Sequence, residues 1–409
     1  MREIEAKSPV QAGGAVVNGT SSAAVHGVGG AVLGGLSGVS TSGSHEAASA
    51  RGGSAGARRR SVLSRLFGAQ ESGLVLVIAA LVIALAVFGG TKNKRVQDAA
   101  TGEWTTTQVN KFLDTSNLVL VAKDASFIAI MAVGMTAVII TAGIDLSIGS
   151  IYGLAAIVGA LVLSRMGAEA AWFVSVPAGL LICMGVGALC GAANGAMIVG
   201  LRVHPFVITL GMLAALRGLT IVIPKELSGT QSVGGFPASF TSGFFKAEIA
   251  GVYPVPAILM LGVTLLGWFV LSRTVFGRRI YAVGGNETAA RYAGIPVGRV
   301  LILVYALTGM LAGLSACVYL GYLGAAETSA GSAYELRVIA ATVIGGASLM
   351  GGRGTAIGAM LGAVLVELIN NGMIILGVDQ DYNQIVMGAA IVVAVVIDQS
   401  KSRLRGRGR

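Results

Sequence analysis

Asp145 is the only formally charged residue in the forty-residue run from Ala125 to Ser164, within the stretch "ITAGIDLSIGS". A carboxyl group so placed could carry a proton, hydrogen-bond the unpaired amides of a helix start, or touch a polar cargo. Glu367, Asn370 and Asn371 form a second set, spaced i, i+3, i+4 and so on one helical face. Glu367 could pair with Arg337 or another buried donor, or the asparagines could pack one helix on another. Arg217 precedes Pro224 by seven residues, roughly 10 Å of helix rise. It could extend outward to the interface or brace an external vestibule by pairing with an acid.

Other chemistries find little support. No H-E-x-x-H or G-x-S-x-G pattern occurs, and His26, His45 and His204 are scattered. Cys183, Cys190 and Cys317 lack C-x-x-C spacing, so neither a disulfide framework nor a metal site is expected, and no catalytic residue is assigned.

The elements that must position these residues follow from composition. The chain has 409 residues, 54% hydrophobic and 12% charged, with a mean hydropathy of +0.79. That balance fits an integral membrane protein, and apolar runs of about 17 to 25 residues recur, each long enough to cross a bilayer as a helix. The expected fold is all-α and polytopic. Ten spans are predicted: 74–90, 119–143, 146–164, 172–199, 206–223, 254–272, 300–323, 336–350, 355–377 and 384–398. The glycines of "GALCGAANG", Gly187, Gly191 and Gly195, are four apart and suit a close helix seam.

The net charge of +10 could suggest nucleic acid, but its placement argues otherwise. Arg51 to Arg65 hold five arginines and no acid, Arg273 to Arg299 hold five against Glu287, and the tail "KSRLRGRGR" holds five basic residues. Alternating the ten spans puts all three clusters on one side, the cytoplasmic side by the positive-inside rule, with both termini there. Residues 1–60, rich in Gly, Ser and Ala, are expected to be a disordered cytoplasmic tail, 70–399 a transmembrane domain and 400–409 a basic cytoplasmic tail. The basic tails could also touch anionic membrane lipid.

In this arrangement Asp145 divides its run almost equally and marks a turn between two spans on the cytoplasmic side. Gly143 and Gly149 would supply permissive backbone there, while Asp145 or Ser147 could cap the following helix. At an offset of 203 residues, Gly143, Leu146, Gly149, Ala156, Gly159 and Ala160 match Gly346, Leu349, Gly352, Ala359, Gly362 and Ala363. Both segments read as span, Gly-rich turn, span, a form that internal repeats or chance likeness of Gly/Ala-rich helices would each give.

Arg273 to Val300 is a polar connection containing a short-helix pattern. Asn286 is a good N-cap, Glu287 suits the positive helix end, Gly294 can take the left-handed C-terminal position, and Pro296 stops continuation. Its small residues Ala289, Ala290 and Ala293 could fit a partner's groove, or the segment could be a solvated turn.

The stretches "MAVGMTAVIITAGIDLSIGS", "HPFVITLGMLAALRGLT", "GRRIYAVGGNETAARYAGI", "SAYELRVIAATVIGGASLMGGRGT" and "LINNGMIILGV" together resemble the permease subunits of bacterial ATP-binding cassette sugar importers, of the ribose/xylose/arabinose branch. The likeness covers about residues 70–399. It implies a second permease copy, a cytoplasmic ATPase that binds ATP and Mg, an extracytoplasmic sugar-binding protein, and a monosaccharide cargo such as ribose crossing the bacterial inner membrane. This chain itself would bind no cofactor, and it lacks the G-x-x-x-x-G-K-[ST] phosphate loop. Gly284, Gly285, Asn286, Glu287, Ala290 and Gly294 stand at positions matching the family's ATPase-coupling loop. Gly143, Asp145, Ser147 and Gly149 resemble a family hallmark that could brace a turn, contact the ATPase or form an inner gate. Asn370 and Asn371 match the family's "NNG", whereas Glu367 and Arg337 depart from its pattern.

Two other readings stay open. A permease of the same superfamily could carry a nucleoside, polyol or amino acid. An ion-coupled secondary transporter would instead use Asp145 or Glu367 as its coupling acid, and would work without an ATPase.

Overall fold

The computed structural model describes residues 69–97, 104–249, 251–389, 392–393 and 396, all within one compact unit spanning 60–409. The tails assigned to 1–60 and 400–409 lie outside the described residues. Helices dominate: α1 (Ala69–Phe88), α2 (Thr115–Ile140), α3 (Ile148–Leu163), α4 (Trp172–Leu201), α5 (Pro205–Ser228), α6 (Val255–Arg273), α7 (Val275–Gly285), α8 (Glu287–Tyr292), α9 (Val297–Leu323), α10 (Tyr334–Ile344) and α11 (Ala356–Ile375). Among the described residues, seven helices are long and apolar enough to cross a membrane: α1, α2, α4, α5, α6, α9 and α11.

These seven agree with predicted spans to within a few residues. The spans at 146–164 and 336–350 are shorter than predicted, 16 and 11 residues: the first begins only at Ile148, after irregular backbone, and the second ends at Ile344, before the irregular stretch 345–355. Sixteen residues rise about 24 Å, less than the roughly 30 Å of a hydrocarbon core. Part of the tenth span, 384–398, lies outside the described residues; 383–389 are helical. Helix α5 runs one turn past Pro224 and ends at Gly229, whose φ of 66° closes the helix. Pro224 leaves the Thr220 carbonyl without the i→i−4 amide that another residue would have supplied there.

Helices α2, α3 and α9 form the buried centre, while α1, α4, α5 and α6 present broad apolar faces outward, as lipid-facing spans do. The seam between α4 and α9 shows why its glycines recur every four residues. A Cβ on Gly187 would strike the Gly309 carbonyl, one on Gly191 the Tyr305 carbonyl, and one on Gly195 would lie 2.7 Å from the Ile302 Cα. Backbones therefore touch directly, and dispersion between them replaces the hydrophobic drive that lipid does not supply.

The connection between α1 and α2 holds an element not predicted from sequence. Strands β1 (Thr91–Gln97) and β2 (Trp104–Asn110) pair antiparallel from Thr91↔Asn110 to Gln97↔Trp104. At its base Asp114 is buried and takes Lys92 Nζ at 2.7 Å and Lys94 Nζ at 2.5 Å. Asn110 Nδ2 donates to the Ala86 carbonyl at 2.7 Å, tying the hairpin to α1. A second two-stranded sheet at this end joins β3 (Ser232–Gly234) to β4 (Ala325–Glu327).

Gly191→Ala is expected to lower stability by about 1–3 kcal/mol or more through overpacking of the seam, read as the melting temperature of the detergent-purified chain. Gly185→Ala, whose Cβ would meet nothing within 4 Å, is expected to melt like wild type. The contacts with Lys92 and then Lys94 hold the Asp114 carboxyl below its ordinary range. Its contribution to the hairpin is therefore complete above about pH 4 and is lost as pH falls through the lower folded value. Hydrogen exchange of the hairpin amides, corrected for intrinsic rates, is expected to show that loss of protection in acid, and at neutral pH in Asp114→Asn.

Candidate functional site

Residues 141–147 break the helical path between α2 and α3. The chain leaves α2 through Ala142, a non-glycine residue in the left-handed region at φ 60°, with its amide donating to the Ile139 carbonyl. Gly143 and Gly149 have no positive φ. They are needed for close approach: a Cβ on Gly143 would sit 2.7 Å from the Tyr305 hydroxyl, and one on Gly149 would strike the Gly331 carbonyl and the Glu335 carboxylate. The permissive-backbone role read from sequence thus belongs to Ala142, where local hydrogen bonding sustains it.

Asp145 is fully buried, as are Ser147 and Asn194. Its Oδ1 accepts from the Ser147 amide at 2.9 Å and from Ser147 Oγ at 2.6 Å, while Asn194 Nδ2 donates to Ser147 Oγ at 2.7 Å. Ser147 occupies the N-cap position of α3 without a side-chain capping bond, so the capping acceptor here is Asp145, acting on the cap residue's own amide. The Ile144 carbonyl receives Thr209 Oγ1 at 3.3 Å and the Tyr305 hydroxyl at 3.4 Å. Asp145 Oδ2 and Asn194 Oδ1 have no hydrogen-bond partner. Asn194 lies seven residues before the end of α4, about 10 Å along the helix. The break therefore lies inside the bundle rather than at the surface turn predicted. Asn194 was not singled out from sequence; a lone amide among the small residues of "GAANG" was its only signal.

The other predicted residues fall into three further groups. At the end where α2 finishes, the Ile140 carbonyl accepts from the Gly352 amide at 2.8 Å, and a Cβ on Gly284 would strike that same carbonyl. Tyr281 of α7 donates to the Gly354 carbonyl at 2.6 Å. The segment carrying Gly284 and Gly285 is thus packed on both the α2 terminus and the turn before α11. Beyond it, Asn286 caps α8 by accepting from the Ala289 amide at 2.9 Å, and Gly294 takes φ 78°. Of the small face read from sequence, Ala290 points inward at 4% exposure, whereas Ala289 and Ala293 are exposed. Glu287 pairs with Arg291 at 2.5 Å, and Tyr292 stands 90% exposed beside them.

Of the two roles open to Arg217, extending outward or bracing through an acid, the structure shows a brace made through backbone carbonyls. Its Nη1 donates to Ala330 at 2.8 Å and Thr328 at 3.4 Å, fixing the loop that leads into α10. That loop presses on α3, where a Cβ on Gly153 would lie 2.6 Å from the Ala330 carbonyl. Glu367 is buried, with Arg337 Nη1 3.9 Å away and Asn370 Nδ2 donating to it at 3.2 Å. Asn371 exchanges amide hydrogen bonds with Asn117 at 2.8 and 3.2 Å, locking α11 to the first turn of α2. Asn370 accepts from Asn383 at 2.8 Å. No group of His, Cys, Asp or Glu among the described residues is arranged to hold a metal ion.

A helical bundle with a break between α2 and α3 and a glycine-bound exposed loop suits a conduit. The family described as "Branched-chain amino acid transport system / permease component" matches residues 117–395. The chain belongs to this permease family. The permease is 41% identical to the ribose import permease protein RbsC of Escherichia coli K12 over 292 residues, 71% of this chain and 88% of that one. It is 38% identical to the D-allose transport system permease protein AlsC of the same organism over 292 residues, covering 71% and 86%. To the autoinducer 2 import system permease protein LsrD of Photorhabdus temperata it is 34% identical over 301 residues, covering 72% and 88%. No solved structure matches the permease. It is a multi-pass membrane protein and a transport subunit.

Asp145→Asn keeps an acceptor for the Ser147 amide and hydroxyl. It is expected to melt close to wild type, whereas Asp145→Ala, which strands the Ser147 donors, should lose about 1–3 kcal/mol. Thermal melts of the purified permease decide; an Asn variant as unstable as the Ala variant would show that the negative charge itself is required.

Proposed function

We propose that the permease carries a monosaccharide, with ribose the first candidate, through the bacterial inner membrane as part of an importer driven by a separate ATPase. A second copy of the chain completes the path, and a sugar-binding protein delivers the cargo on the outer side. ATP and Mg belong to the ATPase. Support for the cargo comes from relatives whose names specify ribose and allose import. Alternation of basic clusters supports cytoplasmic termini and a cytoplasmic α7–α8 segment.

The single observation that carries the mechanism is the three-way contact of Gly284, Ile140 and Gly352. Helix α8 offers Glu287, Arg291 and Tyr292 to an ATPase surface, while Gly284 bears directly on the last residue of α2, five residues before Asp145. Closure of the ATPase would push α8, and the push would pass through bare backbone contact into the break at 141–147. That break, hydrogen-bonded to α4, α5 and α9, is the gate or brace of the path. Arg217 and Glu367, with Asn370 and Asn371, hold the facing loop and α11 in register with it.

Uptake of labelled pentoses and hexoses into vesicles holding the permease, its ATPase and the binding protein tests this reading. ATP-dependent uptake of one sugar is expected, falling at least about tenfold in Glu287→Arg if the coupling contact is worth 1.4 kcal/mol or more. Uptake that needs no ATPase and follows a proton or sodium gradient would overturn it.

A further inference from the structure

An apolar groove of about 110 Å³ opens on the outward side of the bundle between α2, α6 and α9, with its far end closed by α7. Gly134 and Gly267 lie in its floor, Val263, Leu266 and Val270 form one wall, and Leu307 and Leu311 the other. The hydroxyl of Thr308 donates to the Gly134 and Val304 carbonyls, so the lining offers no free polar group there. Leu266 is 62% exposed, which leaves the groove open along its side. Phe276 and Ile280, four apart on α7, form the closed end.

The groove changes character sharply at that end. Arg279 follows Phe276 by three residues and flanks the face that lines the groove, and Arg273 follows Val270 by three on α6. Both arginines are exposed. Arg273 stacks over the Trp268 ring at 5.7 Å, a pairing suited to the membrane–water boundary. Arg278 points away from the groove, two residues from either lining side chain.

We propose that this groove binds an anionic glycerophospholipid, one acyl chain lying between α2, α6 and α9 and the phosphate met by Arg273 and Arg279. The two halves of the site complement the two halves of such a lipid: an apolar slot and, within one helical turn of its α6 and α7 lining residues, two exposed cations. A zwitterionic lipid fills the slot equally well but brings its own cation to the arginines. Because Phe276 and Ile280 belong to the helix that leads to Gly284, the bound lipid also fixes the corner between α6 and the segment packed on Ile140.

The test uses the full chain reconstituted in nanodiscs of phosphatidylcholine containing one-tenth phosphatidylglycerol, extracted gently and weighed by native mass spectrometry. Wild type is expected to retain phosphatidylglycerol and phosphatidylcholine in a ratio about tenfold above that of the bilayer, so that about half of the retained lipid is phosphatidylglycerol, given roughly tenfold discrimination from two boundary arginines. Arg273→Gln with Arg279→Gln should bring retention down to the bilayer share, while Arg278→Gln leaves it enriched. Leu266→Trp, or Val270→Phe should that variant misfold, should expel both lipids. Melting temperature in pure phosphatidylcholine checks that each variant is folded. Retention at the bilayer share in wild type, enrichment that survives loss of both arginines, or cross-linked pairs of chains through Leu266→Cys would overturn the proposal.

Discussion

A non-helical backbone inside an apolar bundle must find every hydrogen bond within the protein, because lipid supplies none. Residues 141–147 impose that constraint here, and much of the surrounding structure answers it. The Ser147 amide goes to Asp145, the Ile144 carbonyl to Thr209 and Tyr305, and the Gly143 amide back to Val138. Four helices contribute to one short stretch, so none of them can shift without altering its hydrogen bonds. The shortness of α3 follows as well, since its first turn begins where the break ends.

Close approach is the second theme, and it serves the first. Threading the break between α4, α5 and α9 requires those helices to lie near one another, which the α4–α9 glycine seam permits. At the bundle's end the same device recurs for a different purpose. Gly284 rests on the Ile140 carbonyl with no side chain between, so a displacement of α7 has no compressible layer in which to dissipate. The loop held by Arg217 approaches α3 similarly from the opposite direction, against Gly149 and Gly153. The polar break is gripped from both sides by backbone contacts.

Hydropathy made the long spans legible, since a helix that must cross lipid writes its length directly into the sequence. The cap, acid and terminator around α8 were legible too, because Asn286, Glu287 and Gly294 act locally. Less visible were features fixed by tertiary contact. The β1–β2 hairpin left only the alternation of "WTTTQVN" as a trace, masked by its lysines. Helix α7 was hidden by the glycine at 277, which closes against the end of α6. Asp145 drew notice by its charge, but its depth could not be read, because the turn and the inward-running break have the same composition. Arg217 likewise announced a brace without revealing that its partners are carbonyls of Thr328 and Ala330, which any sequence would provide.

The central claim is that motion at the coupling segment reaches the buried break through the Gly284–Ile140 contact. Hydrogen exchange of the permease assembled with its ATPase, compared with and without a non-hydrolysable nucleotide, measures it directly. The account expects amide protection to change together over 284–293 and 141–147. A change confined to 284–293, with the amides of 141–147 exchanging at the same rate in both states, would contradict it.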